Sequence, residues 1–396
     1  MAVHGQVRVV QWNLAELRGE PPAVAEVIAA LDVDDWPGFA REVSILTVQE
    51  ADTATYTHLL NTLGPEWTAA TYTNSGEDNY GGAQACFYHA QTVTEIPSGH
   101  DGTYTEAGRR ARRWLFSLNG YQDPPVTFYV YSAHLKAGNT SASEADRNIG
   151  AGRVLSNMDE VPEGSRIIVT GDMNFYDNDE SGYQTFISGG LIDPLGTGSW
   201  SSESQAHKHT QSPRTIASGG LASGGMDDRF DFQFINQEMQ GTGGLCLIDG
   251  SLRAVGNDGD HYNTAINNGS NLYWPNDVSG SNALADALHD ASDHLPVAAE
   301  YRMPPILEAA LTGCDFGVVL EGWVIDPCTL DLSNMLPVGA GIQADLPWSA
   351  TGSGALSALA ESGSIVAGES TSLTLNMDTS LATSGPHEVQ ILSSDP

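Results

Sequence analysis

The chain has almost no lysine. Lys136 and Lys208 are the only two, and 16 basic side chains in all stand against 50 carboxylates, a formal net charge of −34. That balance argues against a generic polyanion-binding surface, because long-range repulsion of nucleic acid or anionic lipid follows from it. It suits salty water, where charges are screened over a short distance; a surface aimed at a cationic partner is the alternative. No apolar run reaches eighteen residues, which excludes a membrane-spanning helix, and no basic start precedes an apolar stretch, so no intact signal peptide is present. A secreted, extracellular protein whose signal has been removed is the expectation.

No CxxC pair occurs among the four cysteines, which argues against a cysteine-based zinc site. Cys314 and Cys328 are spaced to close a short loop in an oxidising compartment, whereas Cys86 and Cys246 sit among apolar residues as core cysteines do. Basic residues are absent beyond Arg302. Two prolines in "MPPILEAA" mark the changeover, so residues 1–303 and 304–396 are expected to form separate domains. In the second, "STSLTLNMD" alternates small polar residues with Leu373, Leu375 and Met377, the period of a strand with one buried face. A small all-β sandwich acting as an accessory domain is the expectation there, and its closing stretch resembles the immunoglobulin-like repeats of secreted bacterial proteins.

What the first 303 residues do contain is a series of strand-like runs that end on polar groups: "VRVVQWN", "SILTVQE", "TFYVYSAHLK", "RIIVTGDMN", "DRFDFQFI" and "SDHLPVAAEY". Helix-compatible segments lie between them, such as "PAVAEVIAAL" and "SEADRNIGAGRVLSNMDEV", the latter with Ile149, Val154 and Met158 at near-helical spacing. An α/β layered architecture follows. The strand ends offer Asn13, Glu50, His134, Asp172 with Asn174, Asp231, and Asp293 with His294. Singly, each is an ordinary turn or cap residue. Together they supply carboxylates to share a divalent cation, amides to hydrogen-bond phosphoryl oxygens and two histidines for proton transfer, the needs of phosphate-ester hydrolysis. Oxygen ligands of this kind suit Mg²⁺ or Mn²⁺.

The ordered series QWN, QE, SAHLKAG, GDMN, RFDF and SDHLP resembles the endonuclease/exonuclease/phosphatase superfamily, over about residues 7 to 302. The resemblance implies a DNase I-like, four-layered α/β/β/α sandwich, here followed by the small β domain. It implies Glu50 as a metal ligand, with Asn13 and Asp293 completing the metal-side wall directly or through water. Asp172 would orient or deprotonate the attacking water, and Asn174 would steady the phosphate. His294 would be the second catalytic imidazole, its tautomer fixed by Asp231, and His134 would donate to a phosphoryl oxygen or assist the leaving group. An arginine just before the strand beside the site contacts phosphate in this family, and Arg112 or Arg113 of "GRRARRW" fits that place; a solvated charged turn is the other reading.

Three further stretches carry less. "HKH" at 207–209 sits in a polar loop and is expected to bind no metal. "SGGLASGG" lacks the Lys-Ser/Thr ending of a nucleotide cradle and reads as a mobile loop beside the site. "DNDESG" offers oxygens to a structural Ca²⁺ but matches no full calcium loop, so a surface loop is favoured. The sequence thus points to an extracellular nuclease acting on DNA or RNA, with no stable protein partner implied. The alternatives are a phosphodiesterase or phosphatase on lipid head groups or small esters, sphingomyelinase-like, and a non-catalytic binding protein on the same scaffold.

Overall fold

A computed structural model describes residues 5–34, 42–73, 82–121, 124–241, 243–274, 282–314, 318–338, 342–381 and 387–393. The chain divides into two compact units, the first comprising Val7–Gly241 and Cys246–Tyr301, the second taking most of its residues from Arg302 onward.

Two sheets face each other in the first unit. One contains β1 (Gln6–Asn13), β2 (Val43–Gln49), β3 (Trp67–Ala69), β4 (Gln84–His89), β11 (Cys246–Leu247), β12 (Arg253–Ala254) and β13 (Val297–Arg302), in the order β11-β13-β1-β2-β4-β3 with β12 against β13. The other contains β5 (Val93–Glu95), β6 (Asp101–Tyr104), β7 (Arg110–Leu118), β8 (Thr127–His134), β9 (Arg166–Asp172) and β10 (Asp231–Ile235), in the order β10-β9-β8-β7-β5 with β6 against β7. The central pairs β1/β2 and β8/β9 are parallel, so their carboxyl ends lie side by side.

Alternation along each strand sends apolar side chains outward to helices. From β1 and β2, Val10, Trp12, Leu46 and Val48 pack against Val24, Val27 and Ile28 of α1 (Pro21–Val33) and Leu288 and Ala291 of α5 (Ala283–Ala291). From β8, β9 and β10, Tyr131, Ala133, Val169, Phe232 and Phe234 meet α3 (Ser141–Met158) and α4 (Ser181–Ser188). A shorter helix, α2 (Thr53–Thr62), is capped by Asp52, whose carboxylate accepts the Thr55 N–H. The four-layered α/β/β/α sandwich is therefore present.

One helix face differs from its expected composition. Ile149 is 46% exposed, and α3 instead buries Arg147, Gly150, Ala151 and Val154. Five residues separate Ile149 from Val154, which at 100° per residue places them about 140° apart on the helix.

Between the sheets the packing is polar near the strand ends. Thr47 and Thr170 share a hydroxyl hydrogen bond of 2.8 Å, the Gln49 amide donates to Ser132 Oγ at 2.8 Å, and Gln233 donates to the carbonyls of Val9 and Val297.

The second unit contains two three-stranded antiparallel sheets. One is β14 (Leu307–Thr312), β15 (Cys328–Asn334) and β18 (Ser370–Leu375); the other is β17 (Ala360–Ile365), β16 (Leu346–Gly352) and β19 (Val389–Ser393). Leu330, Leu332, Leu346, Trp348, Leu373 and Leu375 form their shared apolar cluster. Leu373 and Leu375 alternate with exposed residues as expected, and Met377 lies beyond the strand end, half-buried against the same cluster. Cys314 and Cys328 are joined in a disulfide, while Cys86 and Cys246 are buried thiols.

Candidate active site

The register of the second sheet builds one wall of the site. His134 at the end of β8 pairs with Asp172 at the end of β9, and Asp172 pairs with Asp231 at the start of β10. Paired residues on neighbouring strands project to the same face, so these three side chains form a row. Gly171 makes the close approach possible: a Cβ there would lie 1.9 Å from the Ala133 carbonyl oxygen. Met173 turns the other way into the core, and its N–H bonds to Phe230 O.

The opposite wall comes from the first sheet. Asn13 ends β1, and Glu50 follows β2 with a left-handed φ of 52°. Asn174 likewise has φ 54°. Left-handed non-glycine residues are uncommon and concentrate where a chain must re-aim a side chain. The loop carrying Asp293 and His294 is latched to β1: Ser292 Oγ donates to Asn13 O at 2.7 Å, and Trp12 Nε1 donates to His294 O at 2.8 Å.

These side chains converge. Asn13 Nδ2 donates to Asp172 Oδ2 at 3.0 Å and to Glu50 Oε1 at 3.3 Å, while its oxygen accepts the Ala15 N–H. His134 Nε2 lies 3.4 Å from Asp172 Oδ2 and 3.9 Å from Glu50 Oε1. His294 Nδ1 is 2.8 Å from Asp231 Oδ2, and its Nε2 is 3.8 Å from Asp172 Oδ2. Asn174 donates its backbone N–H to Asp172 Oδ1 and a side-chain N–H to Leu135 O. Asp293 Oδ2 accepts the Ala222 N–H at 2.6 Å.

Charge in the site is out of balance. Burial pushes Asp172 up to about 7, with Asp231 and Glu50 adding to the rise and His294 opposing it. Burial also raises Glu50, with Asp293 adding to it and His294 opposing. His294 is held well above its usual value; burial opposes this, and the Asp231 and Asp172 carboxylates overcome it. Asp231 Oδ1 and Asp293 Oδ1 are buried without a hydrogen-bond partner among the described residues. Four crowded carboxylates with unused oxygens are a donor set for a hard divalent cation. Ligand atoms of Asp172, Asp231 and His294 lie within 4.8 Å of one another, close enough to hold one. Asp231 Oδ2 and His294 Nδ1 are engaged with each other, whereas Asp231 Oδ1 and Asp293 Oδ1 have no partner among the described residues, so Asp293 and Glu50 can add to the ligand set.

Not every expected residue arrives. Arg112 and Arg113 alternate across β7, opposite Ser132 and Tyr131. Arg113 therefore leaves on the outer face, bonded to the Asn157 carbonyl and paired with Asp101 and Glu160. Arg112 lies on the inner face and donates to Thr73 O at 3.4 Å. A guanidinium that the sequence reading did not single out, Arg109 in the turn before β7, reaches the site, its Nε donating to His134 Nε2 at 2.9 Å. Gln211 was also unmarked in the sequence. Its Nε2 lies 2.7 Å from His294 Nε2.

The remaining motifs take structural roles. His209 bonds through both ring nitrogens to the carbonyls of Met226 and Trp200, and Lys208 donates to Leu195 O. Asp177 of "DNDESG" spends its oxygens on Ser199, Ser201 and the N–H groups of Asn178 and Trp200, which leaves little for Ca²⁺. The glycine-rich loop lies beside the site through the Ala222–Asp293 contact.

A family model described as Endonuclease/Exonuclease/phosphatase family matches residues 10–294. No curated protein matches the chain. Similar solved structures include D. rerio TDP2 complexed with a single-strand DNA product, at 13% identity and TM-score 0.46, covering 75% of this chain and 99% of that one. The mannosyl-6-phosphatase of Bacteroides thetaiotaomicron is similar at 16% and 0.46, covering 74% and 99%. The human Nocturnin catalytic domain with bound sulfate follows at 16% and 0.45, covering 76% and 96%. With most of its length matched by that model, and with the sandwich and the Asp/His cluster in place, the chain belongs to the Endonuclease/Exonuclease/phosphatase family of metal-dependent phosphoesterases.

Proposed function

We propose that this protein is an extracellular nuclease that hydrolyses phosphodiester bonds of DNA or RNA with Mg²⁺ or Mn²⁺. The observation that carries the reading is the meeting of Glu50, Asp172, Asp231, His134 and His294 at one end of the paired sheets. Glu50 and Asp293, with Asn13 beside them, would hold the cation, which offsets charge growing on a phosphoryl oxygen. Asp172, poised near 7, is placed to orient a water and take its proton. His294, kept in place by Asp231, faces the same space and stabilises negative charge on the phosphoryl group. Asn174 and Arg109 flank them as phosphate contacts.

The disulfide between Cys314 and Cys328 supports an oxidising location. Residues 304–396 are read as an accessory module, with the catalytic domain ending near 303. A second reading, hydrolysis of a small phosphate ester, is favoured by the net charge of −34, which disfavours long polyanions. The test is wild type against Asp172→Ala on DNA, RNA, bis-p-nitrophenyl phosphate and sphingomyelin, each with and without EDTA. Cleavage of nucleic acid that needs both Asp172 and metal supports the first reading; cleavage of small esters alone supports the second.

A further inference from the structure

Arg214 differs from four other buried arginines. Arg8, Arg147, Arg229 and Arg253 each meet a carboxylate at 2.6 or 2.7 Å. Arg214 is only 5% exposed, yet among the described residues no carboxylate pairs with it. One Nη2 N–H goes to the backbone carbonyl of His289, and Nε has no hydrogen-bond partner. Asp293 and Asp290 attract it only from beyond ion-pair distance, and a buried cation without a contacting carboxylate is unfavourable.

The same side chain lines a cavity of about 330 Å³ together with Arg18, Gly19, Thr215, Ser218 and Leu221. Both walls of that cavity are tied to the site. Arg18 and Gly19 belong to the segment leaving Asn13, and Leu221 precedes Ala222, whose N–H is held by Asp293. Two arginines thus line one cavity, next in sequence to the Ala222 held by Asp293. Glu20 and Asp290 also line the space; Arg18 pairs with Glu16, and Asp290 is engaged by His289.

We propose that this cavity is a subsite for a second anionic group of the substrate, the phosphate flanking the scissile bond in a nucleic-acid strand. Arginine forks match phosphate oxygens two at a time, and such contacts fix the register of a strand without reading its bases. The subsite rests on the nuclease reading and makes it specific: it separates a strand from a simple diester.

The test compares two substrates that differ only in flanking phosphates, a dinucleotide phosphorylated at both ends and the corresponding unphosphorylated dinucleoside monophosphate. Wild type should prefer the first by about tenfold or more in kcat/KM, chiefly through KM, and Arg214→Gln and Arg18→Ser should each cut that preference to about twofold. Arg18 is partly exposed, so its variant remains informative if Arg214→Gln folds poorly. Equal cleavage of the two by wild type, or an undiminished preference in the folded variants, overturns the subsite alone. Turnover of bis-p-nitrophenyl phosphate with neither dinucleotide cleaved overturns the nuclease reading, and the subsite with it.

Discussion

Arg109 and His134 share a hydrogen bond in which the guanidinium Nε–H donates to imidazole Nε2 at 2.9 Å. The acceptor role of Nε2 puts the imidazole proton on Nδ1. The same Nε2 lies 3.4 Å from Asp172 and 3.9 Å from Glu50, and the Arg109 charge acts on Glu50, so the guanidinium is close to where a phosphoryl group would bind. Arg109→Ala should therefore lower kcat/KM for a phosphodiester by about 100-fold, the scale of a lost charged hydrogen bond. Added guanidinium chloride at millimolar concentration should restore part of the rate. Steady-state kinetics with and without guanidinium check this, and a loss below threefold would remove Arg109 from the site.

Gln211 stands 2.7 Å from His294 Nε2 on the side facing Asp172. No other hydrogen bond of its side chain is seen among the described residues, whereas its backbone anchors the loop to Asp227 and Asp228. Gln211→Ala should consequently leave thermal stability within about 2 °C while lowering kcat roughly tenfold, the worth of one buried hydrogen bond. Calorimetry and turnover measured on the same preparation separate the two effects.

Stability without metal should fall as pH rises. Asp172 ionises at about 3.8 when unfolded and about 7 when folded, so between those values the folded state binds the extra proton and is favoured at the acid end. His294, raised above 6.5 by its carboxylate neighbours, acts in the same direction: its contribution is full below 6.5 and lost as pH climbs through the folded value. In EDTA the melting temperature should thus decline from pH 5 to pH 8. Mg²⁺ or Mn²⁺ should recover much of the loss at pH 8, and Asp172→Asn should raise the metal-free melting temperature there while abolishing activity. A metal-free protein that melts higher at pH 8 than at pH 5 contradicts the charge imbalance.

Activity should persist at high salt. At half-molar NaCl the Debye length is about 4 Å, so long-range repulsion between a −34 surface and the substrate is already removed. Rates on DNA should hold or rise between 0.05 and about 0.5 M NaCl. A tenfold fall over that range argues that surface cations, rather than the buried site, drive binding.

The strand ends were legible in the sequence for a physical reason. An apolar run that stops on Asn13, Glu50, His134 or Asp172 marks both the strand and its end, and parallel pairing gathers such ends together. The arginines were not legible at the same level. A tight turn and two-residue alternation decide where each of four neighbouring guanidinium groups points, and composition alone is blind to both. Gln211 belongs to a loop without periodicity, where nothing local distinguishes it from other polar residues. Ile149 shows the same limit for helices: near-regular spacing is not the same as a shared face.

The bridge of Thr47 to Thr170, with Gln49 reaching Ser132 beneath the site, has a mechanical meaning. Apolar contact has no preferred direction, whereas donors and acceptors fix an angle and a distance. Glu50 rides on one slab and Asp172 on the other, so the gap across which they cooperate is gauged by these small hydroxyl and amide pegs. Swapping Thr170 for valine keeps the shape yet unpins the slabs, a way to detune the enzyme from a distance without touching any group that meets the substrate.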